Sequence, residues 1–184
     1  VIIKFYNSYG YAGLKIEGTL KAIGESNLPI VFTSFFDDQV NLPTAGNWGG
    51  LQFTKDATNL SKLDNIILRY AGSLDANLVG AGIRIDQVVI SLSNSTVEKN
   101  LRSGILLINS SSIIDTVNFL ENEREGVYVQ GGSPEIKNSN IQNNYYGIFI
   151  DKANILLSNN SFIDNVFDIF DTDNPPPPPP SPVP

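Results

Sequence analysis

The feature that most constrains this chain is a repeat. The segments AGIRID, SGILLI, EGVYVQ and YGIFID align on Gly82, Gly104, Gly126 and Gly147, at steps of 22, 22 and 21 residues. A second register agrees: the asparagines closing STVEKN, VNFLEN, NIQNN and SFIDN are Asn100, Asn122, Asn144 and Asn165, with the same three steps. Each unit holds two or three short runs of alternating β-branched and polar residues, broken by Asn, Ser and Gly, with no sustained helical spacing. Short strands recurring at this interval without helices predict an all-β solenoid. Each repeat makes one coil of a parallel β-helix, and successive coils stack about 4.8 Å apart through ladder hydrogen bonds.

That architecture assigns roles to columns of residues. Apolar residues two apart, Ile83/Ile85, Ile105/Leu107, Val127/Val129 and Ile148/Ile150, are expected to point into the lumen. Asparagine suits the corners because it tolerates the left-handed conformation and bonds in ladders with its copies above and below. The aligned glycines are expected to free the backbone at the corner before each strand.

Composition narrows the chemistry. Cys, His and Met are all absent, which excludes thiol nucleophiles, Ser-His-Asp triads, histidine bases and zinc sites built on Cys or His. A net charge of −7 leaves no basic footprint for nucleic acid, and no run of eighteen apolar residues marks a membrane span. The 184 residues suffice for one domain with a substantial core, here residues 1–174. The chain starts at Val1 already in strand pattern and reads as a processed or excised piece.

The sequence is also similar to a known family. VIIKFYNSYGYAGLKIEGTLKAIGESNLPIVFTSFFDD, then GNWGGLQF and LDNIILRYAG, resembles the extracellular right-handed parallel β-helix proteins of bacteria and archaea, a pectin-lyase-like group. The matching residues are Lys4 and Phe5, Gly18 to Leu20, Pro29 to Ser34, Asp37 and Asp38, Trp48 to Gly50, Phe53, and Tyr70 to Gly72. The resemblance implies a right-handed coil and a secreted or cell-surface setting. The group spans adhesins, surface-layer components, carbohydrate-binding modules and lyase-like enzymes, so fold alone does not choose among them. Relatives often carry a Gly- and Asp-rich calcium-like insert after the Asp-Asp pair, whereas here Asp38 leads through QVNLPTAG directly to Asn47 and Trp48. Asp37 and Asp38 are therefore weak calcium candidates. Asp171 and Asp173, in an acidic stretch with Asp164 and Asp168, are further ones. Trp48 reads either as a packed corner or as a sugar-stacking platform.

The residue two past each aligned glycine points outward. Carried along the chain, that column is Lys15, Gln52, Arg84, Leu106, Tyr128, Phe149 and Phe170, polar at first and then apolar. Arg84, Leu106, Tyr128, Phe149 and Phe170 are the expected binding stripe, suited to polyproline or to sugar stacking unless the tail or another segment covers it. The next outward column, Glu17, Thr54, Asp86, Ile108, Gln130 and Asp151, places Asp86 and Asp151 three coils apart, roughly 14 Å. Paired glycosidase carboxylates need about 5 to 9.5 Å, which leaves a polysaccharide lyase as the enzymatic alternative. Sequons at Asn59, Asn94, Asn109 and Asn159 are glycosylation candidates.

After Asn174 come Pro175, Pro176, Pro177, Pro178, Pro179 and Pro180, then Ser181, Pro182, Val183 and Pro184. Such a run favours polyproline II and cannot continue a sheet, so residues 175–184 form a separate tail that spans roughly 30 Å when extended. The tail is expected to lie against a neighbouring β-helix or to be sheathed by attached glycans, joining subunits into a fibre. The function that follows is a non-catalytic extracellular structural or adhesive module of a surface or filamentous assembly. The alternative is a carbohydrate-binding module on a proline linker. No cofactor beyond a weakly bound calcium is expected.

Overall fold

A computed structural model describes residues 1–6, 12–38, 42–73 and 80–175. Eighteen strands alternate along these residues, and every strand-to-strand pairing is parallel. The first coils are β1 (Ile2–Phe5), β2 (Gly13–Ile16) and β3 (Lys21–Ile23), then β4 (Ile30–Ser34), β5 (Gly50–Phe53) and β6 (Lys62–Asp64). The regular part follows: β7 (Ile66–Arg69), β8 (Ala81–Asp86), β9 (Ser91–Glu98), β10 (Ser103–Ile108), β11 (Ile113–Leu120) and β12 (Glu125–Gln130). It closes with β13 (Glu135–Lys137), β14 (Asn140–Gln142), β15 (Tyr146–Asp151), β16 (Leu156–Ser158), β17 (Ser161–Ile163) and β18 (Phe167–Asp171).

One wall is a seven-stranded sheet in the order β2-β5-β8-β10-β12-β15-β18, one strand from each of seven coils. The remaining eleven strands form the other walls. The lumen is filled by the columns expected for it: Ile83, Ile85, Ile105, Leu107, Val127, Val129 and Ile148 are fully buried and Ile150 nearly so. Two more columns close the cross-section, Leu92/Ile114/Ile136 and Val97/Phe119/Ile141, all fully buried.

Each regular coil has three left-handed corners. One runs through Gln87, Asn109, Gly131 and Lys152, the second through Asn94, Thr116, Asn138 and Asn159, and the third through Lys99, Glu121, Asn143 and Asp164, all at positive φ. The recurring asparagines Asn100, Asn122, Asn144 and Asn165 do not adopt that conformation; the residue before each of them does. Their work is the ladder. Asn100 Nδ2 donates to Asn122 Oδ1 at 2.8 Å, Asn122 Nδ2 to Asn144 Oδ1 at 3.1 Å, and Asn144 Nδ2 to Asn165 Oδ1 at 3.1 Å. Each Oδ1 also accepts the backbone N–H of the asparagine one coil earlier, and the series begins at Ala71 N–H on Asn100 Oδ1.

The glycine column corrects the sequence reading. Gly82, Gly104, Gly126 and Gly147 lie inside β8, β10, β12 and β15 without positive φ, so they are not corner residues. They are required by close approach. A Cβ on Gly104 would sit 2.7 Å from the Gly126 carbonyl oxygen and 2.9 Å from Asn122 Nδ2, and the other three meet the equivalent asparagine or the next coil at similar range. Glycine and asparagine recur together because the side-chain ladder occupies the space that a Cβ would need.

Asn122→Ala should therefore lower unfolding stability by on the order of 3 kcal/mol, because Val97 O, Asn144 Oδ1 and the Asn100 N–H groups all lose a buried partner. Asn165→Ala, on the last rung, should cost clearly less, and equal urea midpoints for the two variants would contradict the ladder. Gly104→Ala should cost about 1–3 kcal/mol by overpacking. Gly18→Ala, where nothing lies within 4 Å of the added carbon, should stay within about 0.5 kcal/mol in the same titration.

Candidate functional site

The outer face of the seven-stranded sheet carries the stripe. Parallel pairing sets Lys15, Gln52, Arg84, Leu106, Tyr128, Phe149 and Phe170 side by side on consecutive strands, in the order read from the sequence. The column is less exposed than expected: Leu106 is only 1% exposed, and Arg84, Tyr128, Phe149 and Phe170 are half-buried. In-register stacking flanks Leu106 with the longer side chains of Arg84 and Tyr128. Arg84 turns one guanidinium nitrogen toward Asp86 Oδ2 at 3.2 Å.

Beyond Leu106 the face is aromatic. Tyr128 and Phe149 meet edge to face at 5.1 Å, and Phe149 stacks on Phe170 at 5.2 Å with 8° between planes. Tyr146 joins them, 5.1 Å from Phe149 and 5.3 Å from Phe170, and stacks on Phe167 at 5.4 Å. Tyr145 extends the cluster against Tyr146 at 4.7 Å. Sequence reasoning missed Tyr146 and Phe167. Counting by twos back from Ile148 would put Tyr146 in the lumen, but its ring lies against Phe149 and Phe170 on the outer face, and the next residue, Gly147, stands where a Cβ would be 2.5 Å from the Asp168 carbonyl oxygen. The usable signal was the column before the glycines, which changes from Glu125 to Tyr146 to Phe167.

Beside Tyr128 and Phe149 is a hollow of about 270 Å³ lined also by Arg102, Ser103, Arg124 and Glu125. The Glu125 side chain is 5% exposed; its Oε2 accepts from Ser103 Oγ at 2.9 Å, and its Oε1 lies 3.4 Å from an Arg124 guanidinium nitrogen. Arg102 and Arg124 recur one coil apart between ladder asparagine and glycine. The result is a shallow polar-aromatic site with two cations and one buried anion. Burial raises the Tyr128 phenol above its ordinary value, reinforced by Asp151 and Glu125 and opposed by Arg124.

Other candidates fall elsewhere. Trp48 is fully buried, stacked on Phe5 at 4.1 Å, and donates from Nε1 to the Arg69 carbonyl at 2.8 Å, so it is a packed corner and not a sugar platform. Asp37 is committed to protein partners: its Oδ2 accepts from Thr33 Oγ1 at 2.7 Å and from Arg69 Nε at 2.8 Å, with a second Arg69 nitrogen at 2.6 Å. Asp38 faces Lys4 at 3.5 Å. Both carboxylates thus already face protein cations, Asp37 facing Arg69 and Asp38 facing Lys4. Asp171 is used by the turn that follows it, accepting from the Asp173 N–H at 3.0 Å. Among the described residues no three or more Asp or Glu side chains gather as a metal site.

Asp86 and Asp151 stand in one column with Ile108 and Gln130 between them. The four sequon asparagines are all exposed, and Asn94, Asn109 and Asn159 occupy left-handed corners. Pro175 is exposed; Pro176, Pro177, Pro178, Pro179, Pro180, Pro182 and Pro184 lie outside the described residues. No helix among the described residues is long and apolar enough to cross a membrane.

The profile of a family described as "Right handed beta helix region" matches residues 81–175. No curated protein and no solved structure matches the chain.

An alkaline titration that follows Tyr128 should find it ionising above the usual phenol value near 10, and Asp151→Asn should move it down. Because the folded value lies above the unfolded one, this tyrosine's contribution to stability is complete below the unfolded value. It is lost as pH rises through the folded value.

Proposed function

The chain belongs to the right-handed β-helix family, and from that premise we propose that it is a non-catalytic extracellular module, adhesive in role, whose aromatic and arginine-lined face grips polysaccharide within a cell-surface assembly. One observation carries the reading: Tyr128, Tyr146, Phe149, Phe167 and Phe170 form a continuous ring network beside a hollow that holds Arg102 and Arg124. Flat aromatic surfaces suit the apolar faces of sugar rings, and guanidinium forks suit hydroxyls and carboxylates. A rigid solenoid spaces such groups at one per coil, about 4.8 Å, which favours an extended polymer over a compact small molecule.

The lyase alternative has less support. Asp86 and Asp151 are too far apart to act as a pair, and Arg84 is tied to Asp86. Glu125 is a buried anion held by Ser103 and Arg124, an arrangement that fits positioning of the arginine. The surface-assembly part of the proposal draws on the same repeat, because a stiff rod with exposed corners can project a binding face away from its anchor.

Binding to a panel of insoluble and soluble glycans tests this reading. Tyr128→Ala and Phe149→Ala should each weaken retention by about 1–3 kcal/mol, and Arg124→Ala should weaken binding of uronate-containing polymers more than of neutral ones. Wild type and variants that are all unretained across the panel would reject polysaccharide as the ligand. Release of unsaturated uronate by wild type would instead make the protein a lyase.

A further inference from the structure

The hollow beside Tyr128 holds a charge that packing does not require. Ala81, Ser103, Glu125, Tyr146 and Phe167 are the first residues of β8, β10, β12, β15 and β18 and follow one another in a single column. Four of the five are uncharged, so the fold itself makes no demand for a carboxylate at the third. Burying one is costly unless it is paired, yet the Glu125 side chain is only 5% exposed. Both of its oxygens are engaged, Oε2 by the Ser103 hydroxyl at 2.9 Å and Oε1 by an Arg124 guanidinium nitrogen at 3.4 Å. Arg124 keeps half of its side chain in solvent and lines the hollow together with Arg102 of the coil before. Among the described residues the lining therefore carries two positive charges and one negative, a surplus of one cation.

Resting on the reading of this face as a polysaccharide surface, we propose that the hollow is its acid-group subsite and that Glu125 sets the charge it accepts. The subsite takes one singly charged oxyanion, a carboxylate or a sulfate monoester, in preference to a doubly charged phosphate monoester. The reason is how the two energies scale. Attraction to the arginines grows in proportion to the ligand's charge, whereas the cost of removing water from it grows as the square of that charge. A surplus of one cation offsets the desolvation of a single charge; a second charge would stand against the Glu125 carboxylate with no cation of its own. Two arginines one coil apart, about 4.8 Å, can donate to different oxygens of the same group. Tyr128 and Phe149 complete the lining and supply an apolar surface for the sugar ring that carries the group. Glu125 itself is a positioning residue, because it acts by fixing Arg124 and by cancelling one of the two positive charges.

Polymers on one backbone test this: plain dextran, and carboxymethylated, sulfated and phosphorylated dextran of equal substitution, at about pH 8, where a phosphate monoester is doubly charged. The full chain should retain the carboxymethylated and sulfated forms about tenfold more tightly than plain dextran, the tighter of the two naming the group, and the phosphorylated form no more tightly than plain. Arg102→Gln should remove that advantage. Glu125→Gln, which keeps an oxygen for the Ser103 hydroxyl, should raise retention of the phosphorylated form about tenfold; unchanged Phe167 and Phe170 ring signals show that the wall is intact in this variant. The Nε–H signals of Arg102 and Arg124, followed during titration with methyl sulfate, read the subsite without any sugar, and both should shift. Phosphorylated dextran held by wild type as tightly as the sulfated form would overturn the proposal, as would a selectivity that Glu125→Gln leaves unchanged. Plain dextran retained with no gain from any acid group would overturn it while the polysaccharide reading stands. Shifts with methyl sulfate, but no polymer and no panel glycan retained, would keep the anion subsite and reject the polysaccharide; neither shifts nor retention would overturn both.

Discussion

The rest of the structure depends on a chain of side-chain amides running along the solenoid. Backbone ladders hold neighbouring strands together, but they do not by themselves choose which residue faces which, because a parallel ladder is indifferent to side-chain identity. The buried asparagines remove that freedom. Asn122 gives both amide hydrogens and takes two hydrogen bonds inside the wall, so a slip of one residue would leave several buried polar groups unpaired. Glycine at 82, 104, 126 and 147 is the steric counterpart, since any Cβ there would collide with the ladder or with the coil above. Register is therefore set by a polar column within an otherwise apolar cross-section.

With register set, residues 21 or 22 positions apart become direct neighbours, and a column can have a chemistry that no local stretch of sequence possesses. Tyr128, Phe149 and Phe170 are each surrounded by ordinary strand residues in the chain, yet they stack as a wall. Arg102 and Arg124 become a pair in the same way. The stacking also conceals: Leu106 belongs to the same column but lies between two longer side chains and is buried. A solenoid thus builds extended binding surfaces by repetition and trims them by the relative lengths of adjacent side chains.

The N-terminal coils obey the same rule with looser spacing. Lys15 pairs with Gln52 and Gln52 with Arg84, although insertions separate them, because the strands are positioned by apolar lumen residues such as Leu51, Phe53 and Leu63. Those insertions carry their own fasteners. Trp48 stacks on Phe5, and Asp37 clamps Arg69. Here specific contacts replace the asparagine ladder, which begins only at Ala71 and Asn100.

The period of 22 and 21 residues, the lumen columns and the outward stripe were determined by the amino-acid sequence alone, because side-chain alternation along a strand and repetition between coils are properties of the chain's own order. Tertiary structure decided what those positions experience. The acidic pair at 37 and 38 is adjacent to no basic residue in sequence, and in space it meets Lys4 and Arg69, which arrive from β1 and β7. Tyr146, in none of the columns read from the sequence, joins the outer wall through Phe149, Phe167 and Phe170, which stacking brings beside it. In each case the deciding contact comes from residues distant in the chain, and its distance and burial exist only once the coils are stacked.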